Sequence, residues 1–273
     1  MRFVAPAREV VDPEVFARPP LSQWNEYTDL LRGNWPDIAQ LNARLRESMP
    51  RFVAQTPDLL ADGKHYEQRI FELSEIATRE RNWHDLLNAL VWLRFPEIKR
   101  ALNARQVAEI AKAGPKQRTR AQCALTHFDE GGVVVIVRDA TLLALWDAHD
   151  WHGLFWRERD AWLDGRIDAV VFGHALFEHA LEPTQLLVGK CVATMPESGN
   201  VENATQAVAV AIARGEILND PQELRPLPLS GIPGWHADNE GEDFYRTAAC
   251  FRPLRTGRCY PKPLQHAAVQ LMR

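Results

Sequence analysis

The segment VFGHALFEH (171–179) places His174 and Glu178 four residues apart within an apolar run. In a helix this i, i+4 spacing puts both side chains on one face. They fall beside Phe177 and Leu181, at the edge of the apolar face. A glutamate there can orient the histidine, or both side chains can ligate a metal. The alternative is a buried histidine–glutamate hydrogen bond that only fixes packing.

A second polar pair has the same spacing in NWHDLLNALVWLRFP (82–96), where His84 and Asn88 are also four residues apart. They lie on the shoulder of a strongly apolar helix, next to Val91 and Phe95. Two helices with the same arrangement suggest that both shoulders face one cleft.

A third candidate is HFDEGG (127–132), directly before a strand-like run. If this segment is extended, His127 and Asp129 point to one side and Glu130 to the other. An imidazole and a carboxylate at a strand edge can ligate a metal or act as an acid/base pair. Asp-Glu-Gly-Gly is also a turn signal, and for Glu130 the turn is the favoured interpretation.

These residues support an enzyme hypothesis: one cleft, which could hold a divalent metal as cofactor, carries out metal-assisted or general acid/base hydrolysis. The candidate catalytic residues are His174, Glu178, His84, Asn88, His127 and Asp129, and the candidate metal ligands are His174, Glu178 and His127. The alternative is a non-catalytic binding or interaction protein whose histidine pairs are structural. No GxGxxG, P-loop, GxSxG or HExxH motif supports a nucleotide cofactor or a serine nucleophile.

Residues 94–120 form the one strongly basic stretch. It could contact nucleic acid or an acidic partner. A solvated helix face is the more common role for such a stretch, and the aromatic interleaving of single-strand binders is missing. Its basic residues are Arg94, Lys99, Arg100, Arg105, Lys112, Lys116, Arg118 and Arg120.

The hydrophobic pattern predicts an α+β fold, a helix-dominated single globular domain with a small β-sheet. Residues 1–65 form an N-terminal arm and helices packed on the main domain, which spans 66–273 and ends in a loop-rich segment. Strands are predicted at 131–137, 168–172 and 186–194, and a hairpin is favoured over a helix at 66–79. Helices are predicted at 22–33, from about 36, and at 82–96, 97–113, 140–148, 152–163 and 203–215.

Composition excludes few classes of protein. The chain has 273 residues, 46% hydrophobic and 25% charged, with a net charge of -4. These values are ordinary for a globular protein and give no global bias toward nucleic acid. No apolar segment suits a signal peptide or a membrane span, so a cytoplasmic protein without a membrane partner is expected.

The chain also resembles an uncharacterised bacterial family, domain of unknown function 3025. The resemblance covers most of the chain from about residue 66 and implies a soluble, single-domain protein, with no assigned activity and no catalytic residues to carry over. It is carried by NWHDLLNALVWLRFP (82–96), HFDEGG (127–132), LFWRERDAW (154–162), VFGHALFEHAL (171–181), IPGWHADN (232–239) and FYRTAACFRP (244–253).

Overall fold

The computed structural model describes residues 3–114, 117–196 and 200–266. The α-helices are α1 Thr28–Leu31, α2 Ile38–Asn42, α3 Pro57–Leu60, α4 Tyr66–Leu73, α5 Trp83–Arg94, α6 Pro96–Ala113, α7 Arg120–Gly131, α8 Ala140–Asp147, α9 Arg159–Leu163, α10 His174–His179, α11 Val201–Ala213 and α12 Glu242–Thr247. The strands are β1 Arg51–Ala54, β2 Glu75–Thr78, β3 Gly132–Val137, β4 Ile167–Val171, β5 Val188–Pro196, β6 Arg225–Pro228 and β7 Leu264–His266. Short 3-10 helices lie at Arg8–Val10, Pro13–Ala17, Leu21–Tyr27, Pro221–Glu223, Leu229–Gly231 and Ala237–Glu240, and a π-helix at Gly153–Arg157.

The larger sheet is built around β3 and β5, which pair in parallel. β4 is antiparallel to β3, β6 is antiparallel to β5, and β7 is parallel to the end of β5. Every residue of β3 is buried, as the unbroken apolar run predicts for a central strand. The predicted class, a helix-dominated α+β domain with a small sheet, is confirmed.

Helix α5 shows how local sequence sets an element that carries the site. Asn82 caps it by accepting a hydrogen bond from the Asp85 amide (3.1 Å). The Asp85 carboxylate does not complete a capping box, because it binds Arg79 instead (2.7 Å). Buried residues, among them Leu87 and Leu90, fix α5 in the core, where it packs against α6 and α10.

Two local predictions are wrong. The hairpin at 66–79 is instead α4 followed by β2, because Ser74 ends the helix in a left-handed conformation (φ 56°) and β2 pairs in parallel with the distant β1. The segment HFDEGG is not an extended turn. All of it except Gly132 is the last part of α7, which ends at Gly131, so His127, Asp129 and Glu130 are spaced around a helix rather than along a strand.

The buried apolar side chains form one contiguous core that includes residues from Val11 to Tyr245. The segment before residue 65 contributes to it: Trp24 packs edge-on against Phe177 of α10, with ring centroids 4.7 Å apart. The Gln23 side-chain amide extends the edge of β4 by accepting from and donating to the Val171 backbone (3.0 and 2.9 Å).

The basic stretch at 94–120 does not form a single solvated face. Lys99 is buried, and Arg105 donates to the Ile212 carbonyl near the end of α11 (3.0 Å). Lys116, which belongs to the predicted stretch, lies outside the described residues. In the described part of the chain, no helix combines the length and the apolar character needed to cross a membrane.

Candidate metal centre

The site forms where α10 meets the end of α7. Gly173 caps α10, and its amide donates to the Gly132 carbonyl (2.8 Å). A Cβ at Gly173 would lie 2.5 Å from the Glu130 carbonyl and 2.4 Å from the Gly132 amide nitrogen. Only glycine permits this approach, which brings the first residue of α10, His174, beside Glu130.

Two histidine rings face each other across this junction. His84 Nε2 on α5 lies 3.0 Å from His174 Nε2 on α10. A carboxylate oxygen of Glu130 lies 3.5 Å from His174 Nε2 and 4.0 Å from His84 Nε2. Within the three described segments of the chain, this is the one group of His, Cys, Asp or Glu side chains able to hold a metal ion, with its ligand atoms within 4.8 Å of one another.

The distances within this group suit a shared ion. Ligands about 2.1 Å from a tetrahedral zinc ion are about 3.4 Å from each other. The two ring nitrogens and the Glu130 oxygen are spaced close to that value, so small side-chain adjustments would bring all three onto one ion.

The other ring nitrogen of His84, Nδ1, is hydrogen-bonded to Glu178. His84 Nδ1 donates to the Glu178 carboxylate at 2.9 Å, and this hydrogen bond raises the pKa of His84 against the effect of burial. The bond fixes the ring and directs Nε2 toward His174. A carboxylate on the outer nitrogen is the usual arrangement for a histidine that binds a metal.

His174 is held in its neutral form. Burial lowers the pKa of His174 to about 3, so the ring carries no charge at neutral pH, as a metal ligand requires. Its Nδ1 is buried without a well-aligned hydrogen-bond partner, although the Asp129 carboxylate lies alongside at 4.0 Å.

Asp129 begins a chain of polar contacts that leads away from the histidines. Lys99 Nζ donates to Asp129 (2.7 Å) and to the Asn88 side-chain carbonyl (2.8 Å), and the Asn88 amide donates to the Tyr66 hydroxyl (3.1 Å). Burial works to raise the pKa of Asp129, but the Lys99 charge and the neighbouring histidines outweigh it, so the pKa is lowered. Asn88 therefore supports Lys99 and Tyr66 and makes no hydrogen bond to His84.

These side chains line a cavity of about 360 Å³. The metal-ligating group opens into it, and Glu67 of α4 and Asn103 of α6 also form part of its wall. Asp129 is surrounded by protein atoms, yet a quarter of its side chain stays accessible because it borders this space. The volume is within the range of small-molecule sites.

The structure brings together five of the six predicted site residues: His84, Asn88, Asp129, His174 and Glu178 make the contacts just described. The sixth, His127, is exposed on α7 and is not part of the cavity wall. Of the three predicted metal ligands, only His174 belongs to the observed group. Glu178 instead accepts a hydrogen bond from His84 Nδ1, and His127 is not in the group.

Glu130 is a site residue that the sequence pattern did not predict, and Lys99 is buried instead of lying on the predicted solvated basic face. The error at Glu130 follows from the wrong conformation predicted for HFDEGG. A helical interpretation of 120–131, with Leu125 and Phe128 as its buried stripe, would have put Asp129 and Glu130 together at one end of a helix. No local signal marks Glu67, which reaches the cavity only through the packing of α4 on α6.

Comparisons with known proteins identify the family of the chain and leave its activity open. The family model described as "Protein of unknown function (DUF3025)" matches residues 50–255. No curated protein and no solved structure matches the chain. The matched range contains every residue of the metal-ligating group and the whole lining of the cavity. Because the match covers well over half of its length, the chain belongs to the DUF3025 family.

Proposed function

We propose that this protein is a metal-dependent hydrolase that acts on a small molecule in the cavity. The observation that carries the proposal is the convergence of His84 Nε2, His174 Nε2 and a Glu130 oxygen at the cavity wall. Two imidazoles and one carboxylate are a ligand set that leaves positions open for water and substrate in catalytic zinc sites.

In this proposal each residue has a separate role. His84, His174 and Glu130 hold the ion, and Glu178 orients His84 through Nδ1. Zinc would supply Lewis acidity and activate a water molecule as a nucleophile. Asp129 and Lys99 form an ion pair beside His174 at the cavity wall.

The alternative is a non-catalytic protein in which the same contacts only join helices. One feature favours a catalytic site over this alternative. The polar chain borders an open cavity instead of being sealed in the core.

The proposal is tested by hydrolysis assays on zinc-loaded protein with p-nitrophenyl acetate, p-nitrophenyl phosphate and alanine p-nitroanilide. We expect turnover of at least one substrate, reduced at least about 100-fold in His84→Ala and kept in Glu182→Gln, a carboxylate change at an exposed position just after α10. Equal rates in wild type and His84→Ala would contradict the proposal. Stoichiometric iron in place of zinc would also contradict it, because two histidines and a carboxylate also bind iron(II) in oxygenases.

A further inference from the structure

We propose that the Glu67 end of the cavity binds a protonated amine of the ligand. This inference extends the proposed function. It rests on that function in one respect: only if the protein is a hydrolase is the bound amine a substrate. It assigns the substrate class: a small molecule with a cationic amine at one end and a hydrolysable group that reaches the histidines at the other.

The first argument is that Glu67 has no cationic partner among the described residues. Its carboxylate accepts a hydrogen bond from the Asn103 amide at 2.7 Å, and the same amide donates to the Glu67 main-chain carbonyl at 2.8 Å. In the described part of the chain, no Lys, Arg or His nitrogen lies within 4.0 Å of the Glu67 carboxylate, and its other oxygen, Oε1, makes no hydrogen bond. Glu67 is half-buried by surface area because it borders the cavity, but protein atoms surround its carboxylate, and such a group is costly to ionise unless a cation reaches it.

The second argument is that the nearest cation, Lys99, compensates the Glu67 charge only in part. Lys99, on α6, already donates to Asp129 and Asn88. Asp129, on α7, is itself negative and disfavours a second charge nearby. Burial raises the pKa of Glu67 to about 7, so near neutral pH the group is poised to ionise when a cation arrives.

The third argument is the chemistry of the surrounding wall. Apolar side chains of Ile70, Leu102, Ile110 and Leu125 line the same cavity, with the Trp92 ring among them. An alkyl or aryl body would pack on these side chains while its ammonium group meets Glu67.

The test uses two amines, benzylamine and n-hexylamine, each compared with the alcohol of the same shape. Binding to the full chain is measured by isothermal titration calorimetry at pH 6 and pH 8, before and after metal removal with EDTA. The variants are Glu67→Gln and, as a matched control, Glu97→Gln, which makes the same change at an exposed position of α6.

We expect at least one amine to bind wild type at least about tenfold more tightly than its alcohol at pH 8. Binding should weaken about tenfold at pH 6, because protonation of Glu67 removes the charge while the amine stays protonated. The preference should disappear in Glu67→Gln and persist in Glu97→Gln and in metal-free protein.

Three results would overturn the inference: neither amine binds, the alcohols bind equally well, or Glu67→Gln keeps the preference. These results differ from failure of the proposed function. If the protein binds no metal but still prefers amines through Glu67, the proposed hydrolase is wrong and the proposed amine site stands. If it is a zinc hydrolase that does not prefer amines, the amine site is wrong and the hydrolase stands.

Discussion

At the scale of single residues, the site depends on which nitrogen of His84 is free. Glu178 accepts from Nδ1, so the lone pair on Nε2 faces His174. We therefore regard Glu178 as a positioning residue. Sequence spacing suggested that Glu178 would serve His174, its neighbour four residues earlier, but the contact that forms crosses from α10 to α5. Contacts between helices cannot be read from i, i+4 spacing.

This assignment predicts the effect of Glu178→Gln. The amide keeps the shape of the side chain but weakens the hold on His84 Nδ1, so zinc affinity should fall about 10- to 100-fold. Competition with a chromophoric chelator measures the change, and Glu182→Gln should leave affinity unchanged. An unaltered affinity in Glu178→Gln would show that His84 needs no orienting carboxylate.

The raised pKa of Glu67 predicts a pH-dependent stability. In the unfolded chain its pKa is near 4.5, and in the folded protein it is about 7. The folded state therefore holds the proton more tightly, and this contribution is complete below pH 4.5 and lost as the pH rises through 7. Glu67→Gln has no such loss. Its free energy of unfolding should therefore rise relative to that of wild type by up to about 3 kcal/mol between pH 4.5 and pH 8.

Urea unfolding of both proteins at several pH values measures this difference. The expected result is a gap in the free energy of unfolding that widens as the pH rises from 4.5 to 8. A gap that stays constant with pH would mean that Glu67 has the same pKa in the folded and the unfolded chain, which would contradict the raised pKa of its carboxylate.

At the scale of elements, the sequence predicts best where the pattern is long and capped. Helix α5, with Asn82 as its cap and a continuous buried stripe, and strand β3, apolar throughout, form where expected. The prediction for residues 66–79 is wrong because the short helix packs on α6 and the short strand pairs with β1, and both partners are distant in the sequence. The prediction for the end of α7 is wrong because the Gly131-Gly132 pair resembles a turn, although the helix continues to Gly131.

The junction of α10 with α7 predicts the effect of Gly173→Ala. The added Cβ would meet backbone atoms of Glu130, Gly131 and Gly132 within about 2.5 Å, and backbone cannot rotate away as a side chain can. We expect α10 to shift, with a loss of about 1–3 kcal/mol of stability and a loss of zinc binding.

Gly241→Ala is the control for this substitution, because a Cβ at Gly241 would meet nothing within 4 Å. Both variants are compared by thermal unfolding and by zinc titration. If Gly173→Ala binds zinc and unfolds like wild type, the close approach of the two helices is not what places His174 beside Glu130.

At the scale of the whole molecule, the site is assembled from segments far apart in the chain. Its residues come from α4, α5, α6, α7 and α10, and the N-terminal segment supports α10 through Trp24. We propose that residues 1–65 act as an arm and helices packed on the main domain. The fold class follows from the periodicity of the sequence, whereas the pairing of His84 with His174 depends on tertiary packing that no single segment encodes.

The central claim is that His84, His174 and Glu130 bind one metal ion. The most direct measurement is elemental analysis of the purified protein beside His84→Ala and His174→Ala, with His127→Ala as a control at an exposed histidine outside the cavity. We predict about one zinc per chain in wild type and in His127→Ala, and a loss of zinc in the other two variants. No metal in wild type, or an equal metal content in all four proteins, would contradict the claim.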